Sequence, residues 1–289
     1  MASLNTDEEL PYNESNILIS DDEITNLLVS YGITMKFCNS DYYRNAFVHK
    51  SYCTRKNENF LDGNKNCSEN CIALQENSNE RLEFLGDSIL GTVVANYLYE
   101  RYPMCDEGFL TKMRTKIVNG TMLAFLSKHI GLDKYILISR QIENNDGRNN
   151  NNILEDTFEA FIGSIYLDFN NKNINSKKMN NLVGLGFQCA NKFIINVIER
   201  YIDFAELVNT NQNYKDVLIK HFQYKGQSAP LFEEIDIQIK KNKKEFTIAV
   251  KSNGLTIGIG KAETKKKSEQ IASRNALKYL CVIKDTKAV

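Results

Sequence analysis

The spacing of apolar positions changes character along the chain, and the change divides it. Over residues 79–101, Leu82, Leu85, Ile89, Val93 and Leu98 recur at helical intervals until Pro103 ends the run. Asp106-Glu107-Gly108 opens a second helix that continues to Val118, with acidic residues suited to a positive helix start. Helical spacing returns over 120–130, 153–168 and 183–202, and a weaker helical pattern occupies 23–52. Aperiodic polar stretches lie between these runs. Residues 53–78, rich in Asn and Cys, read as a surface insert; the Asn-rich segments 141–152 and 170–181 read as loops. Residues 1–22 are polar and acidic and read as a loose leader.

From residue 214 the pattern is different. A short amphipathic helix at 214–224 is followed by three runs in which apolar residues alternate with polar or small ones: Ile235, Ile237 and Ile239; Phe246, Ile248 and Val250; Leu255, Ile257 and Ile259. Period two in three successive runs predicts a three-stranded antiparallel sheet, and Asn253-Gly254 predicts a tight hairpin between the second and third strands. A last helix, 265–280, places Ser268, Ala272 and Ala276 on one face. The expected organisation is an all-α domain at 23–204 carrying the insert 53–78, a linker at 205–213, and an α+β domain of order α-β-β-β-α at 214–283.

Composition sharpens this picture. With 289 residues, 42% hydrophobic and 10% aromatic, the chain suits two packed domains and excludes global disorder. Net charge is zero, but the average conceals a split. Residues 214–289 carry 16 basic against 8 acidic side chains, and residues 1–213 carry 20 against 28. An acidic body with a basic tail domain fits metal chemistry in one and phosphate binding in the other. There is no secretory signal and no run of transmembrane length, so the expectation is a soluble intracellular protein, cytoplasmic in the first instance with a nuclear location open. Seven cysteines, an odd number, fit a reducing compartment. Cys53, Cys67 and Cys71 lie in the insert, but their spacing is not a standard zinc signature and no His accompanies them, so they read as loop thiols.

The densest chemical signal is Asn79-Glu80-Arg81-Leu82-Glu83-Phe84-Leu85-Gly86-Asp87. Glu80, Glu83 and Asp87 share one face of an otherwise apolar helix, where mutual repulsion calls for a cation. Asp156 and Glu159 form a second pair at i, i+3 in another mostly apolar helix. A single such pair is ordinarily a solvated face. Two pairs brought to one point would make a hard-oxygen site suited to Mg²⁺ or Mn²⁺, able to generate a nucleophile from water and to offset charge on a phosphate. Lone His49 reads as a packing residue, with a general base as the lesser reading. Lys112, Arg114 and Lys116 read as a solvated helix face, with phosphate contact as the minority reading.

The segment from Asn79 to Gly91 resembles the signature of the ribonuclease III family. His49-Lys50-Ser51-Tyr52, Asp106-Glu107-Gly108 and the segment from Leu154 to Gly163 resemble its other landmarks in the expected order. The similarity covers about residues 25–200, and the basic domain that follows resembles a double-stranded RNA-binding domain. The resemblance implies a ribonuclease III-like helical bundle in which Glu83, Asp87, Asp156 and Glu159 bind Mg²⁺, with Mn²⁺ able to substitute. Asp87 and Glu159 would be tied most directly to hydrolysis, and Glu80 and Glu107 would line the cleft toward a dimer interface. Phe84 would be a contact of a homodimer formed through the signature helix. Each subunit would cut one strand of double-stranded RNA, leaving 5′-phosphate and 3′-hydroxyl ends with short 3′ overhangs. The insert 53–78 is longer than the link typical of bacterial members.

In the second domain Lys265, Lys266 and Lys267 open the last helix, where they add to the positive helix end. By resemblance Lys265 and Lys266 would straddle major-groove phosphates with Lys267 assisting, and Lys241, Lys243 and Lys244 would add charge from the first strand-to-strand loop. Three features depart from the family pattern. Ile219 and Lys220 replace polar minor-groove residues, the loop 240–244 lacks the usual Gly-Pro and His, and Ala262 stands where a second Gly is common. Backbone electrostatics should therefore dominate RNA binding. The expected activity is a Mg²⁺-dependent endoribonuclease acting on double-stranded RNA. The alternative is a catalytically inactive duplex-RNA-binding or sequestering protein. A DNA-directed nuclease conflicts with a module that reads A-form shape.

Overall fold

The computed structural model describes residues 11–54, 71–171, 184–209, 213–240 and 243–283. Two compact units divide the chain between Leu207 and Val208. In the first, the described elements are helical: α1 (Asp21–Ser30), α2 (Ser40–Ala46), α3 (Glu80–Arg101), α4 (Glu107–Ile117), α5 (Gly120–His129), α6 (Arg140–Asn144), α7 (Asn151–Asn171), α8 (Leu185–Tyr201) and α9 (Phe204–Asn209). The starts are set by local chemistry. Ser20 and Glu23 form a reciprocal capping box on α1, and the Asp106 and Asn119 side chains cap α4 and α5. No side chain caps α3; instead buried Asn79 is pinned by its backbone N–H to the Val48 carbonyl at 2.8 Å and by its amide to the Ala46 carbonyl at 3.3 Å.

Helix α7 is the centre of this unit. Leu154, Phe158, Phe161, Ile162, Ile165 and Phe169 are all buried, and α2, α3, α5 and α8 pack around them. A helix apolar on nearly every side belongs in a core. Its buried hydroxyls turn back on the helix, Thr157 donating to the Ile153 carbonyl and Ser164 to the Phe161 carbonyl. Asp168, buried, accepts hydrogen bonds from the Cys38 and Asn39 backbone N–H groups at 3.0 and 2.8 Å and from the Tyr43 hydroxyl at 3.2 Å, which fixes the start of α2.

Four regions differ from the sequence-based expectation. Residues 11–20 are not a loose leader: Ile19 is in the core, and the buried amides of Asn13 and Asn16 both donate to the Ile138 carbonyl. Segment 141–152 is not a plain loop. Ser139 caps α6, a 3-10 turn covers Gly147–Asn149, and α7 begins at Asn151. The organiser is Arg148, whose guanidinium pairs with Glu143 at 2.6 Å and donates to the Asp133 and Ile136 carbonyls. In the insert, Leu74 packs with Val48, Tyr52 and Leu137, while the expectation for 55–70, including Cys67, lies outside the described residues, as does most of the loop expected at 170–181. Lastly α9 occupies part of the expected linker. Lys116, read as solvated, is buried with its ammonium donating to the Leu207 carbonyl, and burial lowers its pKa.

The second unit comprises α10 (Tyr214–Tyr224), β1 (Leu231–Lys240), β2 (Lys243–Ser252), β3 (Leu255–Ala262) and α11 (Lys265–Tyr279), with antiparallel sheet order β1-β2-β3. Asn253 and Gly254 both take positive φ, the requirement of the expected tight hairpin. Leu218, Phe222, Ile248, Val250, Ile257, Ala272, Ala276 and Leu277 form the core. Period two misleads in β3: Gly258 and Gly260 face α11, while Leu255 and Ile259 are exposed. A Cβ on either glycine would collide with the α11 backbone, so α11 sits directly on the strand. A bulge between Val250 and Lys251 lets Ile257 reach the core as well. No helix among the described residues is long and apolar enough to cross a membrane.

Candidate active site

Helices α3 and α7 cross in backbone contact. A Cβ on Gly86 would strike the Glu159 carbonyl, and one on Gly163 would strike the Leu82 carbonyl. This reciprocal pair of glycines brings the Glu83–Asp87 stretch of α3 against the Asp156–Glu159 stretch of α7. The four acids that the resemblance implies as metal ligands thus lie on the facing stretches of this crossing.

Burial and like charge dominate their electrostatics, and Lys50 offsets them only in part. Glu159 is only 8% exposed, and burial pushes its carboxyl up to about 8, with the charges of Asp87, Glu155, Glu83 and Asp156 acting in the same direction. Burial also raises Glu83, reinforced by Asp156 and Glu80, and raises Asp156, which Lys50 partly offsets. Among the described residues, none of Glu83, Asp87, Asp156 and Glu159 forms an ion pair. A buried carboxylate crowded by like charges is the signature of a functional site rather than of stability. Among the described residues, no group of three or more His, Cys, Asp or Glu side chains is drawn close enough to enclose a metal ion. Glu155 stands at i−4 from Glu159, outside the i, i+3 pair that the spacing singles out. Its carboxylate lies against Gly120 at the start of α5, and its pKa is raised by burial and by Asp156 and Asp87.

Beside the crossing lies a polar cleft of about 240 Å³ lined by His49, Lys50, Asn79, Glu80, Glu83 and Asp156. Glu80 is held by the Lys50 ammonium at 3.3 Å and the Ser78 hydroxyl at 3.0 Å, and these bonds lower its pKa. Glu107 is not among the lining residues; it is exposed on the first turn of α4 and accepts from the Thr111 hydroxyl at 2.7 Å. Phe84 is 78% exposed on the outer face of α3, which also carries exposed Arg81, Ser88 and Thr92. A groove of about 890 Å³ next to this face is lined by apolar Leu18, Ile72, Leu82, Leu85 and Leu167, with Arg44 and Arg81 among its polar groups.

In the second unit, Thr264 caps α11, and Lys265, Lys266 and Lys267 are exposed in its first turn. Lys265 pairs with Glu234 at 3.4 Å. Lys244 is exposed on β2; Lys241 lies outside the described residues, and Lys243 is placed in β2 by its backbone alone.

Residues 39–184 match the family model described as ribonuclease-III-like, and residues 214–280 match the double-stranded RNA binding motif. The probable ribonuclease 3 of Acanthamoeba polyphaga mimivirus is 33% identical over 265 residues, covering 91% of this chain; the chain spans only 46% of that longer protein. Ribonuclease 3 of Chlorobium chlorochromatii is 32% identical over 245 residues, covering 85% of this chain and 86% of the bacterial one. The nuclease domain of ribonuclease III from Campylobacter jejuni aligns with a TM-score of 0.45 at 30% identity, covering 61% of this chain and 96% of that domain.

Proposed function

This chain belongs to the ribonuclease III family of endoribonucleases and carries a double-stranded RNA binding motif, and from that premise we propose that it cuts duplex RNA with Mg²⁺ held at the α3–α7 crossing. The observation that carries the reading is Glu159, nine-tenths buried, without an ion-pair partner among the described residues and crowded by four other acids. Hard carboxylate oxygens of net negative charge fit a divalent Mg²⁺, with Mn²⁺ as substitute, and do not fit a soft metal. Glu83, Asp87, Asp156 and Glu159 are the ligands in this reading. When bound, the ion supplies the activated water and the positive charge that phosphodiester hydrolysis requires. Asp87 and Glu159 would be the ligands tied most directly to that hydrolysis. Water adds to phosphorus, the bond to the 3′ oxygen breaks, and the 3′ oxygen leaves with a proton. The products are a 5′-phosphate and a 3′-hydroxyl, with short 3′ overhangs when two subunits each cut one strand. Glu80 stays bound to Lys50 at the cleft edge, and Glu107 has only a peripheral part.

Two subunits would meet through the outer face of α3. An aromatic ring 78% exposed beside an apolar groove is a contact awaiting a partner, and the groove offers a place for the partner's ring. Lys266 and Lys267, with Lys265 and Lys241, Lys243 and Lys244, would hold the duplex backbone through charge. The test is cleavage of a labelled duplex RNA with Mg²⁺, with EDTA, and with Glu159→Ala. Cutting that needs Mg²⁺ and is lost in the variant while binding persists is the expected result. Binding without cutting under any divalent metal would leave a sequestering protein.

A further inference from the structure

His49 is more constrained than a packing histidine. Its Nδ1 accepts a hydrogen bond from the Ser51 backbone N–H at 3.2 Å and lies 2.8 Å from the Ser51 hydroxyl. A backbone N–H can only donate, so Nδ1 must present its lone pair and cannot carry the proton. The Ser51 hydroxyl is fixed in turn, because its oxygen accepts from the Ser139 backbone N–H at 3.0 Å, leaving its hydrogen for Nδ1. Burial and then the neighbouring Lys50 disfavour the imidazolium, with Glu80 offsetting them in part. The ring is therefore neutral with its proton on Nε2, and Nε2 has no hydrogen-bond partner among the described residues. His49 lines the cleft with Glu80, Glu83 and Asp156, and Nε2, its unpartnered nitrogen, is not among the buried unpartnered atoms. Every carboxylate there is an acceptor. A fixed neutral donor among acceptors can recognise an oxygen-rich ligand that the acids alone would repel.

We propose that His49 is a substrate-binding residue, a tautomer-locked imidazole whose Nε2–H donates to an oxygen of the RNA ribose-phosphate backbone entering the cleft. It is not a general base, because its one free nitrogen already holds a proton. The inference rests on reading the first unit as a duplex-RNA nuclease.

The tautomer is read in the full chain from ¹⁵N shifts of histidine-labelled protein, with His49→Gln assigning the signal among the 3 histidines. An unprotonated Nδ1 and protonated Nε2 at neutral pH are expected; the opposite tautomer, or an imidazolium, overturns the proposal. Duplex-RNA affinity is then measured with Ca²⁺ in place of Mg²⁺, a hard cation that offsets the acids of the cleft, with the RNA checked on a gel to be uncut. His49→Phe should weaken binding by about tenfold, and His49→Gln, which can place an amide N–H near the position of Nε2, should recover most of it. Equal affinity in all three proteins, or equal weakening by both substitutions, overturns the proposal. If His49→Phe does not fold, as judged by circular dichroism, His49→Leu takes its place. Repeating the comparison on a duplex with 2′-deoxyribose at the cleavage position separates the acceptors: a penalty that vanishes assigns the 2′-hydroxyl, and one that persists assigns a phosphate oxygen. Failure of the wild-type protein to cut duplex RNA with Mg²⁺ would strike the nuclease reading instead, and the tautomer result would be unaffected.

Discussion

Glu159 sets the sharpest expectation at the scale of single residues. Its carboxyl is raised from 4.5 to about 8 in the fold, so the folded chain holds that proton more tightly than the unfolded chain does. The stability linked to it is complete below about pH 4.5 and is lost as pH rises through about 8. In EDTA, Glu159→Gln should therefore melt higher than wild type at pH 8, by a margin on the order of a few kcal/mol, and no higher at pH 4. Thermal melts of both proteins across that range decide the matter, and identical curves would contradict it. The same variant should lose cleavage by about a hundredfold or more. Acids at i, i+3 inside apolar helices were legible in the sequence because their spacing contradicts their surroundings. Glu155 was hidden by standing next to Asp156, and Lys116 by two exposed basic neighbours, Lys112 and Arg114. No local pattern announces that Lys116 will reach the Leu207 carbonyl, 91 residues away.

Between elements, the decisive contact is the α3–α7 crossing. The helices themselves were readable from apolar spacing, but nothing in the sequence says that Gly86 and Gly163 meet the opposite backbone. Gly86→Ala should force the helices apart and cost roughly 1–3 kcal/mol, measurable as a lowered urea midpoint, with loss of cleavage beyond what the lost stability explains. Full activity in a folded Gly86→Ala protein would show that the crossing distance is unimportant. The sequence also hid α6, because Asn-rich composition masked the Ser139 cap and the Arg148–Glu143 pair. In β3 it hid which face is buried, because close backbone packing favoured the glycines over Leu255 and Ile259. On the outer face of α3, Phe84→Glu should shift the protein to monomer by sedimentation velocity while leaving circular dichroism unchanged. A wild-type protein that sediments as a monomer would remove the basis for the dimer.

Across the whole molecule, the charge split read from sequence has a measurable consequence. Residues 214–289 carry a net charge of +8, and log affinity for duplex RNA should fall linearly with log salt. Replacing Lys266 with Ala should reduce that slope by about one; Lys265, already paired with Glu234, should matter less. A salt-insensitive affinity would contradict electrostatic holding. The crowding of acids at the α3–α7 crossing has a further effect on the order of events. Without a cation, that surface repels the polyanion it is proposed to cut, so each ion bound makes RNA easier to accept. Thermodynamic reciprocity then requires RNA to tighten the ions by the same factor. The crossing would thus act as a coincidence detector, filling with metal and strand together and resting nearly empty when only one is present.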